Sequence, residues 1–227
     1  MPTTKEWREW IEQAVRYKAI GEISTQYYDC PECPERISKT LPSSRLVLML
    51  RHPVDRAYSH YGFCVQRANY RGSFTEFLMQ KPKALEKGYY SRYVKRYLEY
   101  FNASQILALV AENVFVDIPG TQKKIADFLN IDLNKFSAIN AKVNASTVPH
   151  HRSVYGLVVK TGRRLRRLHL EPLVDFVMRL GIQKILSNGN ALPVLDKGLK
   201  KKLSLSYERD FEELEQCLQI DLRCWRE

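Results

Sequence analysis

The sequence predicts an α/β protein with a central parallel sheet flanked by helices and a helical C-terminal part. Two short apolar runs, residues 46–50 and 105–110, are too short for helices and apolar on both faces, which is typical of buried strands in a parallel sheet. Amphipathic helical patterns alternate with these runs, an order that favours parallel strands connected by helices. The length of 227 residues fits one substantial core, so we expect a single domain over residues 1–227.

The helices are predicted from apolar residues that recur at the helical period. They occupy residues 5–17, 34–40, 53–67, 85–101, 118–129 and 197–218. The tyrosines within 85–101 follow this period and indicate a core stripe. After about residue 140 the pattern is wholly helical, and the last helix is expected to end against Trp225. Ser73 and Glu76 have the spacing of a capping box before a further helix. Residues 19–24 are a candidate for another short strand.

The composition is that of a folded protein whose partner is anionic. The chain is 44% hydrophobic and 27% charged, and its net charge is +11. No stretch approaches the length of a membrane span, and residues 1–17 are too charged for a signal peptide. We therefore expect a cytoplasmic protein.

Basic residues cluster in two places, which makes nucleic acid an alternative partner. One cluster contains arginines and lies at residues 160–169, and the other contains lysines and lies at residues 197–202. The aromatic residues do not interleave with either cluster as a base-stacking platform requires, so no nucleic acid is expected. The arginine cluster favours contact with an anionic ligand, and the lysine cluster fits a solvated helix face equally well.

The cysteines predict neither a disulfide framework nor a metal site. Their number, five, is odd, and no export signal accompanies them. Cys30 and Cys33 form a CxxC pair, a spacing used for zinc and for redox chemistry. Zinc requires a second close pair, and Cys217 with Cys224 is spaced wrongly for one. No other thioredoxin-like feature accompanies the pair, so no redox role is predicted.

The end of the first apolar run has the features of an anion site. Arg51 follows the strand, and Pro53 suits the first turn of a helix. The negative charge of Asp55 is favourable near the positive N-terminal end of that helix. A strand that leads into a helix N-terminus binds anions well, and Arg51 offers a planar donor fork to a phosphate. Ser59, two turns along, adds a hydroxyl group. The alternative is a salt bridge for Arg51 and an ordinary helix position for Ser59.

The surrounding residues resemble a known family. Residues 50–61 read Leu-Arg-His-Pro-Val-Asp-Arg-Ala-Tyr-Ser-His-Tyr. This resembles the 3′-phosphate-binding segment of sulfotransferases that use PAPS (3′-phosphoadenosine-5′-phosphosulfate), with His52 where asparagine is common. Other stretches keep the order and spacing of bacterial sulfotransferases related to the heparan-sulfate type: Gly21-Glu22-Ile23-Ser24, Gly88-Tyr89-Tyr90, Gln105-Ile106-Leu107, Glu112-Asn113 and Ala126-Asp127-Phe128-Leu129. The resemblance extends to about residue 150.

The resemblance implies a P-loop-NTPase-like sulfotransferase fold and a defined chemistry. PAPS would be the co-substrate, with no metal, and sulfuryl transfer would go to a hydroxyl or amine acceptor, with a glycan as one candidate. Arg51 and Ser59 would hold the 3′-phosphate of PAPS or of adenosine 3′,5′-bisphosphate. Residues 144–152 lie where the family often has a loop that closes over the nucleotide, which makes His151 and Arg152 candidates for phosphate contact. The alternative for these two is a surface loop.

One family motif does not occur in the sequence. The 5′-phosphosulfate loop, Lys-x-Gly-Thr-Thr, and the catalytic residue that follows it are absent. The sequence leaves open an N-terminally incomplete chain, imperfect nucleotide binding, or a loop from another chain. Glu22 and then His60 are the candidate catalytic bases, with structural roles as the alternative. A catalytically degenerate relative that binds the nucleotide or an anionic glycan without turnover is the alternative function.

Overall fold

A computed structural model describes residues 18–67, 70–135, 147–149 and 189–226. Among these residues the helices, in chain order, are α1 (Cys33–Thr40), α2 (Pro53–Arg67), α3 (Phe74–Gln80), α4 (Lys83–Glu86), α5 (Ser91–Leu98), α6 (Ala111–Val116), α7 (Ile118–Leu129), α8 (Lys197–Ser204) and α9 (Glu208–Leu218). The strands are β1 (Leu46–Leu50), β2 (Ile106–Val110), β3 (Thr147–Pro149) and β4 (Gly189–Ala191). The helix predicted at residues 5–17 lies outside the described residues.

Contacts within the chain divide it into two compact units. The first comprises Met1–Arg51, Tyr90–Asn140 and Arg209–Glu227, and the second comprises His52–Tyr89 and Ala141–Glu208. The described part of the first unit contains β1, β2, α1, α5, α6, α7 and nearly all of α9. The described part of the second contains α2, α3, α4, β3, β4 and α8.

The first unit contains the predicted parallel strands. β1 pairs with β2 in parallel, with Leu46 opposite Ile106 and Leu50 opposite Val110. The expectation that β1 is buried on both faces is wrong, because Val47 is 44% and Met49 53% exposed. These two side chains share one face of the strand, and the described residues leave that face open to solvent. The strand predicted at residues 19–24 is also wrong, since this segment has no strand pairing in the structure.

Helix α7 has the bounds, 118–129, that the sequence predicted. The side chain of Asp117 accepts a hydrogen bond from the N–H of Gly120 at the N-terminus, at 2.9 Å. Asn130, just past the C-terminus, has a left-handed backbone with φ of 55°. The capping box of Ser73 and Glu76 at the start of α3 is likewise confirmed.

The predicted helix 85–101 is wrong as one continuous element, because it is divided into α4 and α5. In the second unit, a Cβ atom at Gly88 would lie 2.7 Å from the Cβ of Pro53, so only glycine permits this close passage of the backbone. In the first unit, the carboxylate of Asp210 accepts hydrogen bonds from the N–H groups of Tyr90 and Ser91, at 2.9 and 3.0 Å. These bonds satisfy two backbone donors at the start of α5.

Asp210 is buried, and its carboxylate is held by these backbone donors. Burial raises the pKa of Asp210, and the hydrogen bonds from Ser91 and Tyr90 oppose that rise. Beside it, Glu213 accepts hydrogen bonds from the hydroxyl of Ser91 and from the ammonium of Lys95. The N-terminus of α5 is therefore fastened to α9 by two acidic side chains.

The helix predicted at residues 197–218 is interrupted by a short 3₁₀ segment, Leu205–Tyr207, that separates α8 from α9. The predicted contact with Trp225 is confirmed in the first unit, where its ring centroid lies 5.2 Å from that of Phe211. The indole N–H of Trp225 donates to the carboxylate of Glu112, at 2.9 Å.

The second unit has its core beside α2. Ala57, Cys64, Phe74, Phe77 and Leu78 form a buried cluster, and two leucines of α8 pack against it. β3 and β4 pair in antiparallel orientation, and β3 lies against α2. Helix α8 therefore contributes apolar side chains to the core around the helix that carries Ser59.

His52 caps the N-terminus of α2 in the second unit. It is 2% exposed, and its Nδ1 accepts a hydrogen bond from the N–H of Val54, at 3.2 Å. Nδ1 is therefore the unprotonated nitrogen, and Nε2–H donates to the hydroxyl of Ser204, at 3.1 Å. That hydroxyl donates to the carbonyl of Lys200, at 2.8 Å. The imidazole thus accepts a hydrogen bond from a backbone N–H, as an asparagine side chain does at a helix start, and it also forms a hydrogen bond with α8.

The structure corrects one expectation about the cysteines, because Cys30 and Cys33 form a disulfide. Their Cα atoms are 5.4 Å apart, since the chain turns between them and enters α1 at Cys33. The other three cysteines are not disulfide-bonded, and Cys64 is buried. An odd number of cysteines argues against a complete disulfide framework, and it does not exclude one local pair.

Replacing Asp210 by asparagine is expected to destabilise the protein. An amide offers one acceptor oxygen in place of two, and its NH₂ group would face a backbone donor. We expect a loss of about 1–3 kcal/mol in the free energy of unfolding, measured by urea denaturation. Glu212→Gln, at an exposed position of the same helix, is the matched control. Equal stability of the two variants would contradict the assigned role.

Variants of His52 separate its capping function from its contact with Ser204. His52→Ala is expected to lose the cap, at a cost of about 1 kcal/mol beyond the cost of the cavity, whereas His52→Asn keeps an acceptor for the N–H of Val54. The free energy of unfolding should therefore fall in the order wild type, His52→Asn, His52→Ala. Equal losses in both variants would show that the cap contributes nothing.

Candidate functional site

Arg51 lies directly after β1, in the first unit. Its side chain is exposed and, within the described ranges, forms no ion pair with a carboxylate. Its backbone is held, because the hydroxyl of Tyr90 donates to the carbonyl of Arg51, at 2.8 Å. The salt bridge that was the alternative for Arg51 is thus not found among the described side chains. A fixed backbone with an exposed guanidinium suits a side chain that binds an anionic ligand.

Tyr90 is fixed in turn by its surroundings in the first unit. The residue is 3% exposed, and its ring lies 5.8 Å from the ring of Tyr28 and 6.0 Å from that of Trp225. Its backbone N–H donates a hydrogen bond to the carboxylate of Asp210. The sequence indicated only a tyrosine-rich stripe, so this positioning role of Tyr90 was not foreseen. The Gly-Tyr-Tyr stretch was the signal that could have suggested it.

Ser59 lies on α2, in the second unit, and is partly buried. Asp55 precedes it by one helical turn and forms an ion pair with Lys200 of α8, at 2.8 Å between Oδ2 and Nζ. Together with the hydrogen bond between His52 and Ser204, this ion pair ties α8 to the first turn of α2. The sequence left a solvated face and an anion-binding face as equal alternatives for the lysines of α8, and Lys200 instead pairs with a carboxylate of the same unit.

His60 is exposed on α2 and contacts the aromatic core at one edge. Its ring lies edge-on to the ring of Phe77, with 5.4 Å between centroids. Desolvation lowers the pKa of His60, and the positive charges of Lys81, Arg56 and Lys87 lower it further. The imidazole is therefore neutral at neutral pH and available to accept a proton. His60 and Ser59 are adjacent, so their side chains leave the helix about 100° apart.

Glu22, in the first unit, is exposed and has a hydrogen-bonding partner. Its Oε2 accepts a hydrogen bond from the hydroxyl of Tyr27, at 2.8 Å. Burial together with this bond raises the pKa of Tyr27 to about 12. A carboxylate engaged in this way stabilises the turn that contains Tyr27, which is the structural role considered as the alternative for Glu22.

The remaining predicted site residues are not described. His151 and Arg152 lie outside the described residues, as does the arginine cluster at residues 160–169. Among the described residues, no group of three His, Cys, Asp or Glu side chains could hold a metal ion. Nor does any helix in the described ranges have the length and apolar character needed to cross a membrane.

Comparison with known proteins identifies a family, whose model covers the part of the chain that contains Arg51 and Ser59, and several relatives. The family model for the sulfotransferase domain matches residues 32–155. Bifunctional heparan sulfate N-deacetylase/N-sulfotransferase 1 of Xenopus tropicalis is 28% identical in an alignment 141 residues long that covers 53% of this chain and 16% of that protein. Heparan sulfate glucosamine 3-O-sulfotransferase 3B1 of Mus musculus is 23% identical in an alignment 134 residues long that covers 55% of this chain and 34% of that protein. The chain thus spans a minor part of the curated relatives it matches.

A solved structure has the same fold. The crystal structure of a sulfotransferase from Alicyclobacillus acidocaldarius superimposes on the chain with a TM-score of 0.69 and 19% sequence identity, covering all of this chain and 75% of that one. This agreement confirms the α/β sulfotransferase fold that the sequence predicted. Because the family model matches more than half of the 227 residues, the chain belongs to the sulfotransferase domain family.

Proposed function

We propose that the protein transfers a sulfuryl group from PAPS to a hydroxyl or amine group of a carbohydrate acceptor. The observation that carries the proposal is residues 45–61, in which strand β1, Arg51 and helix α2 follow one another inside the matched family region. The names of the relatives support the acceptor class, because they act on heparan sulfate and on its glucosamine.

Arg51 and Ser59 are proposed to bind the 3′-phosphate of the nucleotide. The guanidinium offers two parallel N–H donors to phosphate oxygens, and the hydroxyl adds a third donor. Their assignment rests on their positions in the family-like segment, residues 50–61. It does not rest on a measured distance between them, because Arg51 belongs to the first unit and Ser59 to the second. The neighbouring hydrogen bond from Tyr90 to the carbonyl of Arg51 supports it, because it fixes the backbone from which the guanidinium projects.

Sulfuryl transfer resembles phosphoryl transfer, so the protein contributes mainly by positioning the reactants and neutralising charge. The acceptor must also lose a proton. Glu22 and His60 are the proposed bases, and both are exposed to solvent. His60 is the neutral imidazole described above, and Glu22 is a carboxylate that accepts a hydrogen bond from Tyr27. Each has an acceptor atom for the proton.

The 3′-phosphate assignment is tested by calorimetry with two nucleotides. Wild type is expected to bind adenosine 3′,5′-bisphosphate at least about tenfold more tightly than adenosine 5′-monophosphate, because charged hydrogen bonds to the 3′-phosphate add affinity. Arg51→Ala should remove most of this preference, and Ser59→Ala a smaller part. Arg36→Ala, at an exposed position of α1, is the control. A preference unchanged in Arg51→Ala would refute the assignment.

Catalysis is tested by transfer of labelled sulfate from PAPS to a polymer that contains unsubstituted glucosamine. Replacement of the true base, by Glu22→Gln or His60→Asn, is expected to lower kcat by about 10²–10⁴ with little change in nucleotide binding. If neither variant alters kcat, both residues have structural roles.

The second candidate function is nucleotide or glycan binding without turnover. It is favoured by one observation, which is that the sequence contains no Lys-x-Gly-Thr-Thr loop for the 5′-phosphosulfate. The two assays separate the candidates. Binding of adenosine 3′,5′-bisphosphate with no transfer from PAPS would establish the second candidate, whereas measurable transfer would exclude it.

A further inference from the structure

We propose that Cys30 and Cys33 form a thiol–disulfide exchange site whose redox state controls how firmly Arg51 is held for the nucleotide. The CxxC spacing and the disulfide between the two residues support an exchange site. The effect on the nucleotide rests on the proposed function, whereas the exchange chemistry does not.

The two sulfur atoms have different surroundings, as exchange requires. Cys30 is partly exposed, whereas Cys33 is 6% exposed and is the first residue of α1. The carboxylate of Glu32 lies 3.5 Å from the sulfur of Cys30 and disfavours a thiolate there. The N-terminal backbone N–H groups of α1 favour a thiolate at Cys33. An incoming thiolate therefore reaches Cys30, and Cys33 is the better leaving group.

The reaction needs a dithiol as the reductant. Its thiolate attacks the sulfur of Cys30, the Cys30–Cys33 bond breaks, and Cys33 leaves as a thiolate that takes up a proton. The second thiol of the reductant then attacks the mixed disulfide and releases Cys30 as a thiol. The protein gains two electrons and two protons, and the reductant becomes a disulfide. A disulfide oxidant reverses the steps.

The disulfide is linked to Arg51 by contacts that all lie within the first unit. The carbonyl of Tyr27 accepts hydrogen bonds from the N–H of Cys30, at 3.3 Å, and from the hydroxyl of Tyr97, at 2.9 Å. The next residue, Tyr28, places its ring 5.8 Å from the ring of Tyr90. Tyr90 in turn donates to the carbonyl of Arg51. The hydrogen bond from Cys30 to Tyr27 closes the turn on which Tyr27 and Tyr28 lie, and the disulfide anchors Cys30, at the end of that turn, to the first residue of α1.

Opening the disulfide gives the end of this turn more backbone freedom, because Cys30 is no longer anchored to α1. The aromatic contact of Tyr28 with Tyr90 then costs more conformational entropy to maintain. We expect the reduced protein to hold Tyr90, and through it the backbone of Arg51, less firmly. Reduction should therefore weaken nucleotide binding without removing any group that touches the phosphate.

The exchange site is tested in the folded protein. The protein is equilibrated with mixtures of reduced and oxidised dithiothreitol, quenched with acid, and alkylated in denaturant with a maleimide that carries polyethylene glycol. Reduction is expected to add two alkylated thiols to the three free cysteines of the oxidised chain. The double variant Cys30→Ser/Cys33→Ser should stay at three, and Cys217→Ser should still gain two. A disulfide that resists excess dithiol until the protein is unfolded would overturn the proposal.

The link to Arg51 is tested by two further measurements on the oxidised and reduced forms. Reduction should lower the midpoint of thermal unfolding by roughly 4 °C in wild type and leave the double variant unchanged. It should also weaken binding of adenosine 3′,5′-bisphosphate about fivefold in wild type alone. Equal affinity of the two forms would refute the link. No binding by either form would refute the proposed function, while the alkylation result would still decide the exchange site.

Discussion

The buried carboxylate of Asp210 is the interaction on which the described part of the first unit depends. The carboxylate accepts hydrogen bonds from the N–H groups of Tyr90 and Ser91 at the start of α5. Because Tyr90 is fixed in this way, its hydroxyl can hold the carbonyl of Arg51 at the end of β1. One acidic side chain near the C-terminus thus determines where the backbone of a proposed phosphate-binding residue lies. A buried carboxylate is stable there because backbone donors replace the water that it has lost.

The elements that could be predicted from the sequence are those whose signals are local. Helix α7 has Pro119 in its first turn and ends before Asn130, and strand β1 is a short apolar run that ends at an arginine. The division between α4 and α5 could not be predicted from the tyrosine period. It depends on Asp210, about 120 positions away along the chain, and on the packing around Gly88. Exposure of one face of β1 was unpredictable for a related reason, since a run of apolar residues does not reveal what covers it.

In the candidate site, too, residues with local signals could be predicted, whereas residues that depend on distant partners could not. Arg51 and Ser59 could be proposed from the sequence because they lie in one segment whose pattern is distinctive. The roles of Tyr90 and of His52 were not found, because each depends on a partner that is distant in sequence. His52 stands where the family commonly has asparagine, and its Nδ1 supplies the acceptor that a helix start requires. A histidine at this position is thus compatible with the local structure, and the contact with Ser204 adds a link to α8.

The exposed face of β1 has a consequence for the behaviour of the protein in solution. Val47 and Met49 present apolar surface on a strand that, among the described residues, pairs on one side only. Exposed apolar side chains on a strand offer a surface on which another molecule can associate. Colloidal stability of the purified chain is therefore expected to depend on its concentration. Charge repulsion from the net charge of +11 opposes this association and weakens as salt is added.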